Sequence, residues 1–201
     1  ENVSFKGQIK SKGGNSVTAG IAGTNAMSLV KRAYVEADIW VKSGQNAGML
    51  VAQNFTDYSG SGWGNWGKLM QSVAKGKLED AGSRNAAGIS ASIWPYGTIN
   101  DTVSYATVVN GKELFSSDNE ITDAWMGQKL QNLFGVTGHS SGTKTGKDAK
   151  FRRLTEAEAE QKVKSYRITA LEQTSANEVT TEKLNAAILR TSAFQDKPGY
   201  K

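Results

Sequence analysis

Gly138-His139-Ser140-Ser141-Gly142 has the G-x-S-x-G spacing of a serine-hydrolase nucleophile elbow. Such an elbow sets its serine on a turn between a strand and a helix, and takes a histidine from elsewhere in the chain as general base. The only histidine among the 201 residues is His139, inside the motif itself. The serine therefore has no base, and no catalytic residue is expected here. Gly142 to Asp148 approaches a phosphate-binding loop, but its glycines stand one residue too close, and Asp148 replaces the Ser or Thr that would hold magnesium.

Composition closes further routes. Without Cys there is no disulfide, thiolate zinc site, iron–sulfur cluster or cysteine nucleophile, and a single His cannot supply a pair of imidazoles to a metal. No metal and no cofactor is expected. Carboxylates remain, since a glycosidase needs only two. Glu36 and Asp38 share one face of a strand pattern, while Glu113, Asp118 and Glu120 sit near turns. Nothing in the spacing selects a pair, so a carboxylate-based glycosidase is only what is left of the enzyme route, and the chain is read as not an enzyme.

Two surface features could bind instead. Asp57 to Gly67 sets Tyr58, Trp63 and Trp66 among Gly, Ser and Asn without helix or strand periodicity. Such aromatics offer flat platforms for sugar rings or bases, unless the loop folds back and the indoles cap a core. Lys144, Lys147, Lys150, Arg152 and Arg153 form a basic run suited to an anion, or simply a solvated loop.

The elements that would carry these residues are mostly strands. Val3, Phe5 and Ile9, with Gly7 in phase, alternate with Ser4, Lys6, Gln8 and Lys10. Ala33, Val35, Ala37, Ile39 and Val41 alternate with Tyr34, Glu36, Asp38 and Trp40, which predicts half-buried strands. Residues 33–55 read as a hairpin turning at Ser43-Gly44-Gln45-Asn46. Residues 86–94 and 102–110 read as a second pair through Pro95-Tyr96-Gly97-Thr98, with a return through Asn110-Gly111 to 113–115. Residues 164–171 are a further strand candidate.

Helices are expected from Thr122 with Met126, Leu130, Leu133 and Phe134 on one stripe, from Thr155 with Glu156, Glu158 and Glu160 behind it, from Thr180, and over 68–78. Residues 135–150 read as a loop and 195–201 as a polar tail. No internal repeat is evident. The fold expected is mainly β, an antiparallel β-sandwich with two to four inserted or appended helices, α+β overall. It forms one domain over 1–201, β-rich to residue 115, with helices within 116–194.

A net charge of +5 and 38% hydrophobic residues indicate a globular chain without the charge loading of a dedicated nucleic-acid protein. No apolar run reaches the roughly 20 residues of a membrane helix. A start at Glu1 and a surface rich in Gly, Ser, Thr and Asn point to an exported protein, secreted or at the cell surface.

Val3-Ser4-Phe5-Lys6-Gly7-Gln8-Ile9 is similar to the opening strand of many chaperone–usher pilin subunits, which also lead with an alternating stretch containing a Gly. That resemblance implies assembly by strand addition, with Val3, Phe5 and Ile9 filling a neighbour's pockets. The chain departs from the family in having no disulfide and no alternating final strand. The function expected is thus a non-enzymatic structural or adhesive subunit of a surface filament or of a virus or phage particle, self-associating through its first strand. A carbohydrate-binding module using Tyr58, Trp63 and Trp66 is the alternative, followed by single-stranded nucleic-acid binding. The partners expected are other copies of the chain or a polysaccharide, rather than nucleic acid.

Overall fold

Alternation places Ala33, Val35, Ala37, Ile39 and Val41 in the interior, while Glu36, Asp38 and Trp40 reach the surface, as the pattern predicts. The partners of that strand are not the predicted ones. The computed structural model describes residues 1–26, 28–55, 67–93, 97–112, 114, 130–139 and 151–171. Residues 1–170 form one compact unit and 171–201 a second.

In chain order the strands are β1 (Val3–Ser11), β2 (Val17–Ala19), β3 (Ala22–Ala26), β4 (Leu29–Lys31), β5 (Ala33–Val41), β6 (Gly44–Gly48) and β7 (Val51–Phe55). There follow β8 (Lys68–Met70), β9 (Val73–Asp80), β10 (Ser83–Ala87), β11 (Ser90–Ile93), β12 (Thr98–Val109), β13 (Leu130–Val136) and β14 (Phe151–Leu154), then helix α1 (Glu156–Tyr166) and a 3-10 turn, Thr169–Leu171. Successive strands fall in different sheets: β1, β5, β9, β12, β13 and β14 in the first, β2, β6 and β10 in the second, β3, β7 and β11 in the third. β4 and β8 join the first sheet through the opening residues of β12. Every strand pairing among the described residues is parallel. The chain winds as a coil, each turn stacking on the one before.

This overturns the antiparallel sandwich with several helices: the fold is a mostly parallel-strand one with a single α-helix among the described residues. Alternation reports which face of a strand is dry but not the direction of its neighbour. The two hairpins do not form, because β5, β6 and β7 are corners of one turn and each pairs with the next turn. Residues 130–136 are a strand rather than the end of a helix, and 68–78 carry β8 and the start of β9. Residues 164–171 close α1 and enter the 3-10 turn. The expected helix at Thr180 lies outside the described residues. Thr155 does cap α1 as expected, in a capping box completed by Glu158.

The coil is itself a repeat, which the sequence pattern does not reveal. Val3 lies beside Ala33 and Val73 beside Val103, the same step along the chain in both turns. Ala22 pairs with Val51 after nearly that step, whereas Leu29 pairs with Lys68 after a longer one. The second turn therefore carries an insertion between β7 and β8, where the sequence places Tyr58, Trp63 and Trp66. The corners repeat as well: Asn2, Arg32, Gln71, Asp101 and Asn132 occupy one column, all with φ between 48° and 57°. In three of these residues the N–H still reaches the next turn, from Asn2 to Lys31 O (2.9 Å), Arg32 to Met70 O (3.2 Å) and Gln71 to Asn100 O (3.2 Å).

Inside the coil, polar side chains stack along its axis. Buried Asn25 donates to Asn54 Oδ1 at 2.8 Å, and Asn54 in turn donates to Thr98 O at 3.0 Å. Asn85 donates likewise to Asn46 Oδ1 at 3.0 Å. Around these ladders pack Val35, Ile39, Met49, Leu50, Leu69, Leu78, Ile89 and Ile99. Phe5 and Ile9 join the edge of that core, so the first strand pairs within its own chain, against β5.

Part of the outer face is also covered. Tyr34, Val73, Val103 and Phe134 point outward in register yet are buried. The Lys162 ammonium, 4.9 Å from the Phe134 ring centre, sets α1 over that row. Lys162 also pairs with Asp101 at 2.6 Å, and the Tyr166 hydroxyl donates to the same carboxylate at 3.2 Å. Farther on, Ala170 N donates to Asn2 Oδ1 (3.1 Å) and Ser4 Oγ to Ala170 O (3.1 Å), returning the chain to the first turn.

Truncating the central ladder residue, Asn54→Ala, leaves the Asn25 amide and the Thr98 carbonyl buried without their partner. We expect a loss of about 1–3 kcal/mol in urea unfolding. The exposed Thr24→Ala, whose hydroxyl bonds only Gln53 at the surface, should change stability by less than about 0.5 kcal/mol.

Candidate functional site

In the first sheet Gly7, Ala37, Gly76 and Ala106 stand side by side in register on β1, β5, β9 and β12, with Ala37 and Ala106 turned into the core, so that on the outer face this row is bare backbone. None has a side chain larger than methyl, and Gly76 has φ +109°. A Cβ built there would lie 2.2 Å from Ala37 O, so only glycine fits. The neighbouring rows do carry long side chains: Lys6, Glu36, Lys75 and Tyr105 on one side, Gln8, Asp38, Lys77 and Thr107 on the other. These two rows bound a shallow depression of about 340 Å³ that His139 closes at one end.

Its charges are unevenly committed. Glu36 takes Lys6 at 3.1 Å and Lys75 at 3.5 Å, and accepts the Tyr34 hydroxyl at 3.0 Å. The Lys6 hydrogen bond, against an opposing contribution from burial, holds the Glu36 carboxyl below the usual carboxylate range. Lys77 turns away to Glu79 at 2.6 Å. Asp38 is exposed and has neither hydrogen bond nor ion pair among the described residues. Tyr105 is only 9% exposed, its hydroxyl has no hydrogen-bond partner among the described residues, and its ring meets His139 edge-on at 5.7 Å and 76°. Burial first, then the charges of Glu160 and Glu156, push its phenol up to about 12. Thr107 Oγ1 donates to the His139 carbonyl at 2.6 Å, and His139 Nε2 lies 3.8 Å from Glu156.

The residues singled out from sequence are distributed differently. Glu36 and Asp38 do share a face and do meet in one site, with Lys75, Tyr105, Thr107 and His139 added by the coil. Those additions come from later turns, and only the regular spacing of the alternating segments could have aligned them. Val3, Phe5 and Ile9 face the core side of β1, with Val3 41% exposed at its margin. Arg152 and Arg153 are exposed on β14, with Arg152 4.0 Å from Glu158. Tyr58, Trp63, Trp66, Lys144, Lys147, Lys150, Glu113, Asp118, Glu120 and Ser140 lie outside the described residues. Among the described residues, no helix is long and apolar enough to cross a membrane.

Comparison with curated proteins finds the zinc metalloprotease ZmpB of Streptococcus pneumoniae serotype 4, 37% identical over 169 residues. The match takes in 82% of this chain, which spans only 9% of that protein's length. No protein-family model matches the chain, and no solved structure matches it. The likeness to a protease overturns the expectation of a non-enzymatic structural or adhesive subunit, and with it the filament, self-assembly and adhesion readings. It likewise corrects the reading of the chain as not an enzyme. That reading rests on scarce catalytic side chains among these 201 residues.

The residues here do not fit a zinc ion. The chain has one His and no Cys, and among the described residues no three His, Cys, Asp or Glu side chains gather into a metal-binding group. No step through zinc is assigned to them.

Gly76→Ala should destabilise the chain by about 1–3 kcal/mol in denaturant, because left-handed backbone and a backbone clash coincide. Gly138→Ala, at φ +87° but with open space around it, should cost distinctly less. For Glu36, a depressed folded pKa means stability that is present above the normal carboxylate range and lost as pH falls through the folded value. The stability difference between the parent and Glu36→Gln, followed by unfolding at stepped pH, should therefore be constant near neutrality and shrink in acid.

Proposed function

We propose that this chain is part of a zinc-dependent protease, in which the coil holds polypeptide substrate on the polar outer face of its first sheet. The observation that carries the reading is the 37% identity to a zinc metalloprotease across 82% of the chain. The geometry supports the division of labour. A stacked coil offers a long, rigid face whose side chains lie in straight rows, suited to holding an extended chain. On this face the depression between Glu36, Asp38, Lys75 and Tyr105 is a concavity that α1 leaves uncovered. Zinc ligands would be supplied from elsewhere, since no three His, Cys, Asp or Glu side chains gather among the described residues.

In such an arrangement the coil's contribution is binding energy and placement. Contacts remote from the scissile bond raise the fraction of time it spends in reach of the reacting groups. Removing them should affect long substrates and leave short ones untouched.

The test uses the whole polypeptide that carries this sequence, purified with zinc, on unfolded casein and on a short fluorogenic peptide. We expect chelator-sensitive cleavage of both. With the coil, residues 1–170, deleted, KM for casein should rise about tenfold, with kcat for the short peptide unchanged. Absence of chelator-sensitive cleavage by the intact polypeptide would overturn the protease reading, and an unchanged casein KM on deletion would overturn the substrate-holding role.

A further inference from the structure

One corner of the coil joins two residues that can react with each other. Asn110-Gly111 is the chain's single Asn-Gly pair, and it follows β12 with the Asn110 side chain exposed. Asparagine is chemically labile, most of all before glycine, where no side chain hinders attack on its carboxamide. Among the described residues Asn15 and Asn132 are exposed as well, but Ser16 and Leu133 come after them. Asn25, Asn46 and Asn54 are buried in or beside the ladders.

The coil itself calls for this pair. Asn110 has φ +61°, a left-handed backbone that Asn tolerates better than most residues. At position 111 a Cβ would lie 2.7 Å from Val108 Cγ1 and 2.8 Å from Ala86 O, so the close approach to the preceding turn needs glycine. The residues that suit the corner best are thus also the ones most prone to react.

The same corner fastens one turn to the next. Asn110 Nδ2 donates to Asp80 O at 3.1 Å, and Lys112 N to Ala86 O at 2.7 Å. Lys112 O then accepts Gly88 N at 3.2 Å, while Leu114 O accepts Ile89 N at 2.6 Å and Ser90 N at 3.2 Å. These bonds seat Leu114, fully buried, in the core.

We propose that Asn110 is a site of spontaneous deamidation, slowed by the fold, whose products unfasten this corner. Gly111 N gives its proton to solvent and bonds to Asn110 Cγ, the Cγ–Nδ2 bond breaks, and ammonia leaves. Water then opens the cyclic imide to aspartate or isoaspartate, so no oxidant and no enzyme is needed. Reaching the ring breaks the Nδ2 bond to Asp80 O and moves Gly111 against Ala86, which is why the folded chain reacts more slowly than the unfolded one. Aspartate at 110, ionised near neutrality, sets a carboxylate against the Asp80 carbonyl where a donor stood. Isoaspartate lengthens the main chain by one carbon before Gly111 and takes Lys112 and Leu114 out of register with residues 86–90. The inference rests on the coil alone and not on the protease reading.

The 201-residue chain is incubated in mildly alkaline buffer, with and without urea, and followed by peptide mapping for the mass gain of deamidation and by isoaspartyl methyltransferase labelling. In the folded chain both signals should appear at Asn110 at least about threefold faster than at Asn15, and urea should speed Asn110 by about threefold more. Asn110→Gly, which keeps the left-handed corner, should remove both signals there. In the isoaspartate form, separated by ion exchange, the amides of Gly88, Ile89 and Ser90 should exchange with solvent at least about tenfold faster, with those of β5 unchanged.

Modification of folded Asn110 no faster than that of Asn15, or none at all, would overturn the site. Equal rates with and without urea would overturn the restraint by the fold, and unaltered exchange at Gly88, Ile89 and Ser90 in the isoaspartate form would overturn the unfastening.

Discussion

No strand of this coil can satisfy its own peptide groups, and none has its partner next to it in sequence. The backbone groups of β5 find their partners a full turn of the coil away, on β1 and β9, and the same holds round the other sheets. Everything else follows from keeping that register. The polar ladders Asn25–Asn54 and Asn46–Asn85 hold it from inside, where a slip of one residue would bury unpaired amides. The left-handed corners from Asn2 to Asn132 hold it from outside, by turning every coil at the same place.

The same register builds the site. The strip of bare backbone between the two outward rows exists only because the turns are stacked, and Glu36 meets both Lys6 and Lys75 only because each of three turns brings one of them. In the next row Asp38 stands beside Lys77, whose ammonium turns to Glu79. The insertion after β7 interrupts none of this, since β8 still meets β4 on one side and β12 on the other. It leaves the coil at a corner, where added chain costs little more than loop entropy.

Much of the local structure is legible in the residues. The alternation in β1 and β5 names the inward row, although Tyr34 of the outward row is buried and Val3 of the inward row is exposed, and Thr155 precedes α1. The mismatches share one cause. The turn-rich stretch Ser43 to Asn46 suggests a hairpin reversal, but the chain only bends after β5 and Gly44 already opens β6, because Gly and Asn serve both geometries. Leu130, Leu133 and Phe134 fit a helical stripe, yet they lie in β13, where pairing with β12 outweighs a spacing that short segments satisfy by accident. For the site, Glu36 and Asp38 can be placed on one face, but Lys75, Tyr105 and His139 cannot be joined to them without the register. The likeness to a protease lies beyond any motif in these residues.

Residue type and neighbours within a few positions are enough to say which face of β5 holds the dry row, where α1 begins, and that the chain can offer a metal no thiolate and no second imidazole. They are not enough to say that the strands run parallel, that they stack as turns of one coil, or that Asp38 and Tyr105 border one depression. The reason is that hydrogen bonding between turns is indifferent to side-chain identity at most positions. The partner of a strand is therefore written only in the sum of the ladders, the corners and the packed core, which exists once the turns have stacked.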